Sequence, residues 1–271
     1  MKTIARMGMI IVAGFLVIVA GFDLWGYLTL GQYTPDPDTE RDNRANAVVM
    51  VFGATGSVGD GLLKAAIEDP DVDKVYVVTR RSSKRIDAGV ASGKVEMFLH
   101  QDFTEYENLQ GTLKDVNTVL WGLGTSSLKV DDETFRLIHV DFPVAFVDAW
   151  LAQRTDAPMS FHYITGMGTD PEGSQQWARD KGYAEQAVAE MAQGTGLRTY
   201  AYRSAYVRPT SEEAGPMAYV GEVLLRPGHL VVTAKELGEA MLEIGARGDE
   251  LPNGTLIDNA DTIRYAEVYP Y

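Results

Sequence analysis

A glycine-rich turn, Gly53-Ala54-Thr55-Gly56-Ser57-Val58-Gly59, follows the apolar run from Ala47 to Phe52 and opens a helical stretch that reaches Glu68. Glycines let a backbone turn tightly and approach a pyrophosphate, and the N-terminus of the next helix offers free N–H groups and a positive dipole end to phosphates. The spacing differs from the commoner G-x-G-x-x-G pattern. The turn nevertheless predicts a dinucleotide site, with cofactor-binding residues Gly53, Thr55, Gly56, Ser57, Val58 and Gly59.

A basic cluster indicates which dinucleotide binds. The apolar segment that ends at Thr79 continues into Arg80-Arg81-Ser82-Ser83-Lys84-Arg85, in a chain of formal net charge −14. The acidic residue that binds the ribose 2′-hydroxyl in NAD-binding domains, about twenty residues past the glycines, is missing here. Guanidinium groups bind phosphates in bidentate fashion. The cluster therefore predicts NADP, with Arg80 ahead of Arg81 as the ligand of the 2′-phosphate; a solvated basic loop is the alternative.

Strands and helices alternate along the segment that must position these residues, which is typical of βαβ units and a parallel sheet. The predicted strands are Val48–Phe52, Lys74–Thr79, Lys94–Leu99, Thr118–Trp121, Ser160–Thr165 and Thr199–Arg203. The predicted helices are Gly59–Glu68, Asp132–Gln153, Ser174–Gln193 and Ala234–Ala246. The fold class is α/β, with one doubly wound parallel sheet of the Rossmann type over residues 47–271, and ligands are expected at the carboxyl ends of its strands.

Composition excludes several other functions. A net charge of −14 disfavours a nucleic-acid partner, whose phosphates it would repel. The chain has no cysteine, which removes disulfides, thiolate metal sites and cysteine nucleophiles. The four histidines are scattered without ligand spacing, so no metal site is predicted and each is interpreted as a surface or satisfied core residue.

The N-terminus predicts a membrane anchor over residues 1–31, followed by a linker over residues 32–46. Met7 to Phe22 is uncharged and mostly apolar, and extension through Leu28 reaches the length that a bilayer requires. Trp25 and Tyr27 suit an interfacial aromatic belt. A cleaved signal peptide and a buried helix remain the alternatives.

The charge pattern and the supply of cofactor point to opposite sides of the membrane for the main domain. Lys2 and Arg6 precede the apolar segment, whereas acidic residues follow it, so the positive-inside rule places the N-terminus in the cytoplasm and the main domain across the membrane. A dinucleotide enzyme is more easily supplied with cofactor on the cytoplasmic side. The predicted localisation is therefore a membrane with a single-pass N-terminal anchor and an unresolved orientation.

The motifs from Ala47 to Arg208 together resemble the atypical short-chain dehydrogenase/reductases, and among them the Tat-interacting-protein-like oxidoreductases. In order, they are Val48–Gly59, Val78-Thr79-Arg80, Asp102-Phe103, Gly122-Leu123-Gly124-Thr125, Val140-Asp141 and Lys181-Gly182 with Glu185. The resemblance implies a Rossmann domain, NADP binding and reduction of a carbonyl compound. It also implies that Asp102 and Phe103 border the adenine, and that Gly122, Leu123, Gly124 and Thr125 pass beside the ribose and phosphates.

One departure from the family concerns catalysis. Such enzymes usually carry Tyr-x-x-x-Lys, in which the lysine lies beside the phenol on one helix face and lowers its pKa. Lys181 is present, but Trp177 occupies the tyrosine position, and an indole N–H can donate a hydrogen bond but has no accessible proton to transfer. Thr165 matches the Ser/Thr at the end of the preceding strand. Lys181, which also holds the nicotinamide ribose, and Thr165 are the predicted catalytic residues.

Other tyrosines could replace the missing phenol. Tyr183 is expected to point away from Lys181, because it lies two positions further along the helix. Tyr163, for which a core role is favoured, Tyr202 and Tyr206 remain candidate donors. The leading hypothesis is a membrane-tethered NADP(H)-dependent oxidoreductase that reduces a carbonyl-type small molecule. The alternative is a catalytically impaired NADP(H)-binding regulatory or assembly module.

Overall fold

The computed structural model describes the backbone of residues 2–271 and the side chains of residues 13–271. Its helices are α1 (Lys2–Thr29), α2 (Gly59–Glu68), α3 (Lys84–Ala91), α4 (Gln110–Leu113), α5 (Asp132–Arg136), α6 (Phe142–Leu151), α7 (Gln176–Met191), α8 (Pro216–Leu225), α9 (Ala234–Ala246) and α10 (Asn259–Glu267). Its strands are β1 (Val48–Phe52), β2 (Lys74–Thr79), β3 (Val95–Leu99), β4 (Thr118–Trp121), β5 (Met159–Ile164), β6 (Leu197–Arg203), β7 (Tyr206–Arg208), β8 (Val231–Thr233) and β9 (Thr255–Asp258).

Seven strands form one parallel sheet in the order β3-β2-β1-β4-β5-β6-β9, and β7 pairs with β8 in a small second sheet. From β1, the chain adds β2 and β3 on one side and then β4 and the later strands on the other side. The loops after β1 and β4 therefore diverge at the carboxyl edge and leave a crevice there. The predicted Rossmann-like parallel sheet is confirmed. The six predicted strands are all present, with ends shifted by at most two residues.

Both faces of the sheet are covered, as its apolar strands require. One core contains residues of α2 and α9 against strands such as β1 and β2, and the other contains residues of α6 and α7 together with Trp121 and Phe161. Helices α2 and α9 approach closely, because a Cβ at Gly61 would lie 2.3 Å from the Cβ of Ala234. This contact holds α2, and with it the glycine turn, against the body of the domain.

The predicted helix Asp132–Gln153 contains an interruption. Helix α5 ends at Arg136, a π-helical turn spans Leu137–Asp141, and α6 continues to Leu151. Such turns place one extra residue in the helix and rotate the side chains that follow, and they occur frequently at functional sites. The turn carries His139 and Val140 to buried positions.

The predicted membrane anchor, residues 1–31, is helical from Lys2 to Thr29. Part of its apolar segment, up to residue 12, lies outside the residues whose side chains are described. Among the described residues, the structure contains no helix that combines the length and the apolar character needed to cross a membrane.

The predicted linker, residues 32–46, packs against the domain. The backbone N–H groups of Gln32 and Tyr33 donate to the carboxylate of Asp261 at 2.7 and 2.8 Å. Arg41 binds the fully buried Glu243, with 2.8 Å between Nε and Oε2. Ordered contacts therefore extend through the segment that separates α1 from β1.

Candidate functional site

The glycine turn has no room for larger residues at two of its three glycines. Gly53 has φ +73°, and a Cβ there would lie 2.4 Å from the carbonyl oxygen of Gly122. At Gly59, a Cβ would lie 2.0 Å from the carbonyl oxygen of Gly53. Gly56 has more space, because such a Cβ would lie 3.2 Å from the carbonyl oxygen of Gly53. The turn therefore brings the start of α2 directly against the carboxyl end of β1, which leaves the N-terminus of α2 at the crevice.

A cavity of about 290 Å³ lies beside this turn. It joins residues from the ends of β1 and β2 and from the loops that follow β3 and β4. The lining residues are Gly53, Thr55, Val78, Thr79, Arg80, Arg81, Phe103 and Leu123. Six of these are predicted cofactor-binding residues, so the structure brings together the glycine turn, the basic cluster and the aromatic residue after β3.

The basic cluster divides into two parts. Arg80 and Arg81 are exposed, and within residues 13–271 neither guanidinium forms an ion pair with a carboxylate. Arg85 instead binds Asp60 in α2, with 2.7 Å between Nε and Oδ1. Arg85 therefore connects α3 to α2, while Arg80 and Arg81 remain available to an anionic ligand in the cavity.

Asp102 and Phe103, which follow β3, also differ in their surroundings. Phe103 is buried and packs on Phe52, with 6.3 Å between the ring centroids. Asp102 is exposed and accepts hydrogen bonds from the N–H and hydroxyl of Thr104, which lower the pKa of its carboxyl group. Phe103 lines the cavity and Asp102 does not.

A second cavity of about 360 Å³ continues along the same edge of the sheet. It is bounded by the glycine turn, by the loop after β4, by the π-helical turn and by α7. The lining residues are Gly56, Ser57, Val58, Gly122, Leu123, Gly124, Thr125, Ser126, Lys129, His139, Ile164 and Lys181. The predicted segment Gly122–Thr125 and the predicted Lys181 thus lie together.

Lys181 is held at the end of β5. Its ammonium group donates to the carbonyl oxygen of Thr165, and burial lowers its pKa to about 8 in spite of the opposing charge of Glu185. Glu185 itself binds Arg203 at the end of β6, with 2.5 Å between Oε2 and Nη2. Lys181 can therefore release a proton near neutral pH while its position stays fixed.

Thr165 contributes its carbonyl group to this arrangement. Its hydroxyl is buried and donates to the carbonyl oxygen of Tyr202 at 3.4 Å, and the residue does not line the cavity. Trp177 also lies outside the lining. Its indole faces the loop after β5, because a Cβ at Gly168 would lie 3.4 Å from Cη2 of the ring.

The alternative tyrosines are engaged elsewhere. The hydroxyl of Tyr163 donates to the carbonyl oxygen of His139 at 2.6 Å, and that of Tyr202 lies 2.8 Å from Nδ1 of His162. Tyr206 donates to the carbonyl oxygen of Ala218 at 3.3 Å. Burial raises the pKa of Tyr163 and of Tyr202 above the ordinary range. Tyr183 is exposed, as the helical spacing predicts.

His139 is a cavity residue that the sequence did not single out. Its Nε2 lies 3.1 Å from the backbone nitrogen and 2.9 Å from the carbonyl oxygen of Thr125, whereas its buried Nδ1 has no partner among the described residues. Burial and the nearby charge of Lys181 lower its pKa to about 4. His139 is therefore neutral at pH 7 and fixes the loop after β4. His139 lies within the π-helical turn, and its spacing from the other site residues does not indicate that it lines the cavity.

No protein-family profile matches the chain. One curated relative, leucinostatins biosynthesis cluster protein T from Purpureocillium lilacinum, is 25% identical over 120 residues, which are 44% of this chain and 43% of the relative. The chain thus spans less than half the length of that relative.

Solved structures resemble the chain over most of its length. A putative short-chain dehydrogenase from Pseudomonas syringae has a TM-score of 0.59 and 14% identity, covering 85% of this chain and 99% of its own. The Bordetella bronchiseptica enzyme WbmF in complex with NAD+ and UDP has a TM-score of 0.58 and 15% identity, covering 80% and 73%. The 3-oxoacyl-[acyl-carrier protein] reductase from Brucella melitensis in complex with NAD has a TM-score of 0.56 and 15% identity, covering 83% and 98%.

At such identities these structures show the fold alone. They are NAD(P)-binding Rossmann enzymes of the short-chain dehydrogenase/reductase type, in agreement with the resemblance stated from the motifs. The chain therefore has the fold in which these enzymes bind a nicotinamide dinucleotide at the carboxyl edge of the sheet.

Proposed function

We propose that the chain is an NADP(H)-binding oxidoreductase that reduces a carbonyl-type small molecule and is tethered to a membrane by its N-terminal helix. The observation that carries the proposal is the placement of two neighbouring cavities at the glycine turn, which share Leu123: one is lined by Arg80 and Arg81, the other by Lys181. The glycines leave space for a pyrophosphate at the start of α2, and Phe103 offers an aromatic wall.

The residues present would hold such a cofactor from end to end. Arg80 and Arg81 would bind the 2′-phosphate, the turn from Gly53 to Gly59 the pyrophosphate, and Lys181 the nicotinamide ribose. When bound, the cofactor would supply the hydride. NADP is favoured over NAD because two exposed guanidinium groups lie at this end of the site, in a protein that is otherwise strongly acidic.

Lys181 is the proton source that the geometry favours. The described side chains that line the second cavity include three basic ones, those of Lys129, His139 and Lys181. His139 has a pKa of about 4 and carries no proton to spare at neutral pH. Lys181 has a pKa of about 8 and is held by the carbonyl of Thr165, so that it can donate a proton to a carbonyl oxygen as the hydride arrives.

A titration calorimetry experiment tests cofactor binding and its selectivity. We expect the full-length protein in detergent to bind NADPH much more tightly than NADH. Arg80→Ala should weaken NADPH binding about tenfold or more, since a hydrogen bond to a charged group contributes about 1.5–3 kcal/mol. It should leave NADH binding unchanged.

Arg44→Ala is the matched control, because Arg44 is an exposed arginine that pairs with Asp73 outside both cavities. It makes the same change of net charge and should affect neither cofactor. Equal affinity for NADPH and NADH, or equal effects of the two substitutions, would contradict the choice of NADP. Absence of binding would contradict the whole proposal.

A second function is favoured by the absence of a phenol beside Lys181. Among the described residues, no tyrosine lines the second cavity, and Trp177 lies against the loop after β5. Such a chain could bind NADP(H) and act through its conformation or its partners, as a regulatory or assembly module without turnover.

Trp177→Tyr separates the two functions. If the parent protein is silent on a panel of aldehydes and ketones, and the variant consumes NADPH, the module is favoured and the lost phenol explains the silence. If the parent already consumes NADPH, the reductase is favoured and a donor other than a phenol at position 177 is required. Trp25→Tyr is the control, because it makes the same change at an exposed indole in α1, outside both cavities.

A further inference from the structure

Helix α8 has an unusual surface. None of its ten residues is buried, and its large apolar side chains are among the most exposed in the described chain. Met217, Val220, Val223 and Leu224 are 47–76% exposed. Because positions three, four and seven apart share one side of a helix, these residues form a single stripe, which we call the α8 face.

The polarity of α8 is inverted. Its one charged residue, Glu222, points toward the protein, where its Oε2 lies 2.6 Å from Nε of Arg208 and the side chains of both residues are largely covered. A helix on the surface of a protein in water normally buries its apolar stripe and exposes its charges. The α8 face is therefore suited to an apolar environment outside the protein.

Helix α1 leaves the domain next to α8. A Cβ at Gly228, in the turn Arg226–Gly228 that directly follows α8, would lie 2.3 Å from the ring of Phe22. At Gly26 a Cβ would lie 2.4 Å from the carbonyl oxygen of Gly228. Asp23 lies 3.2 Å from Nε2 of His229. The α8 face and α1 thus belong to one side of the molecule.

The exposed part of α1 indicates what covers this side. Phe15, Leu16, Val17 and Ile18 are consecutive, and all are 59–71% exposed. At about 100° per residue they point to every side of the helix. A protein partner or a second copy would cover one side, whereas lipid surrounds a helix completely.

We propose that the α8 face is a second membrane contact, which lies in the surface of the bilayer that α1 enters. This inference rests on the membrane tether of the proposed function and is independent of the cofactor and the chemistry. The face itself carries no charge, and the protein is acidic, so apolar burial and not attraction to anionic lipids would drive the contact. Tyr219 on α8 and Trp25 on α1 suit the headgroup region.

Spin labelling of the full-length protein tests the inference. The chain has no cysteine, so single substitutions give single labels. Val223→Cys reports on the α8 face, Ile18→Cys on α1, and Val90→Cys is the control, because Val90 is an exposed apolar residue of α3 that lies outside α1 and α8. Each nitroxide-labelled protein is reconstituted into phosphatidylcholine vesicles, and relaxation by oxygen is compared with relaxation by a water-soluble nickel chelate.

We expect the ratio of oxygen to nickel accessibility to be several-fold higher at residues 223 and 18 than at residue 90. A ratio at residue 223 equal to that at residue 90, with residue 18 still in lipid, overturns the α8 contact and leaves the tether intact. Low ratios at both 223 and 18 overturn the tether and the contact together. Spin–spin broadening at residue 223 that disappears on dilution with unlabelled protein indicates a second copy and also overturns the inference. A far-ultraviolet circular dichroism spectrum and a cooperative thermal transition like those of the unlabelled protein show that each labelled protein is folded.

Discussion

Lys181 experiences two opposing effects within α7. Burial disfavours its charged form, and the carboxylate of Glu185 one turn later favours it, with the balance lowering the pKa to about 8. Glu185 is also bound by Arg203, which reduces the support that it gives to Lys181. Gly182 permits this arrangement, because a Cβ there would lie 2.5 Å from the backbone nitrogen of Pro171. In the pair Lys181-Gly182, the lysine therefore supplies an ammonium group with a lowered pKa, and the glycine lets α7 approach the backbone at Pro171.

The pKa of Lys181 predicts the pH profile of reduction. Proton donation requires the charged form, which is present below the pKa and lost above it, so the rate should be flat below pH 8 and should fall as the pH rises through about 8. Lys181→Met should lower kcat/KM about 10²-fold or more, in the range of general acid catalysis.

Lys181→Arg is the informative control, because its guanidinium stays charged. Its rate should be reduced, and the fall near pH 8 should disappear. Steady-state kinetics of NADPH consumption between pH 6 and pH 10 measure both effects. A fall near pH 8 that persists in Lys181→Arg would assign the titration to another group.

The glycine turn and α2 act as one element of the site. The backbone at Gly53 touches the loop after β4, and Gly59 touches Gly53, so the start of α2, the end of β1 and the wall of the second cavity are in mutual contact. Helix α9 holds α2 from behind through Gly61 and Gly238. The position of the phosphate-binding backbone therefore depends on packing at the far side of α2.

A methyl group at Gly59 tests this element. Gly59→Ala would place a Cβ 2.0 Å from the carbonyl oxygen of Gly53, so the turn must open. Overpacking of this kind costs about 1–3 kcal/mol, and NADPH affinity should fall with it. Thermal unfolding and calorimetry measure the two effects.

Gly111→Ala is the matched substitution, since Gly111 lies in α4 and a Cβ there meets nothing within 4 Å. It should keep cofactor affinity unchanged and be neutral or slightly stabilising, because alanine is the better helix former by about 1 kcal/mol. Equal stability and affinity of Gly59→Ala and the parent protein would contradict the close contact at the turn.

At the scale of the whole molecule, the parallel sheet brings the residues of the site together. Both faces of the sheet are covered by helices, so chemistry is confined to the loops at its carboxyl edge, where residues from positions 53 to 181 meet. The two exposed guanidinium groups at one end of this edge oppose the overall charge of −14. An anionic ligand is therefore attracted locally, while the rest of the surface repels it.

Six of the seven strands of the large sheet were predictable from the sequence because they are apolar runs separated by turn signals, whereas β9 at Thr255–Asp258 was not predicted. The sequence does not predict α3 and α10, because they are short, with eight and nine residues, and because the basic residues at the start of α3 are interpreted as a phosphate-binding cluster. Arg85 belongs to that cluster in sequence, although its partner Asp60 becomes visible only in three dimensions.

Loops and their contacts explain the remaining differences at the site. The resemblance names Thr165 for its hydroxyl; in the structure its carbonyl oxygen accepts from Lys181, while the hydroxyl donates to Tyr202, so the catalytic role of Thr165 stays a prediction. The π-helical turn that carries His139 lies just before Pro143, which has no backbone N–H to donate; this proline signals an irregularity in the helix but does not indicate that His139 reaches the cavity and contacts Thr125. The anchor over residues 1–31 and the function of the site stay predictions.

The contacts of residues 31–41 have a consequence for the motion of the molecule. Gly31 and Gln32 donate to Asp258 and Asp261 at the start of α10, and Arg41 is bound to a glutamate that has no access to solvent. A segment that is bound to the domain at both ends is less free to change its direction or its end-to-end distance than a flexible linker is. The segment between α1 and β1 is therefore bound to the domain that carries the crevice, and it does not have the freedom of an unattached flexible linker.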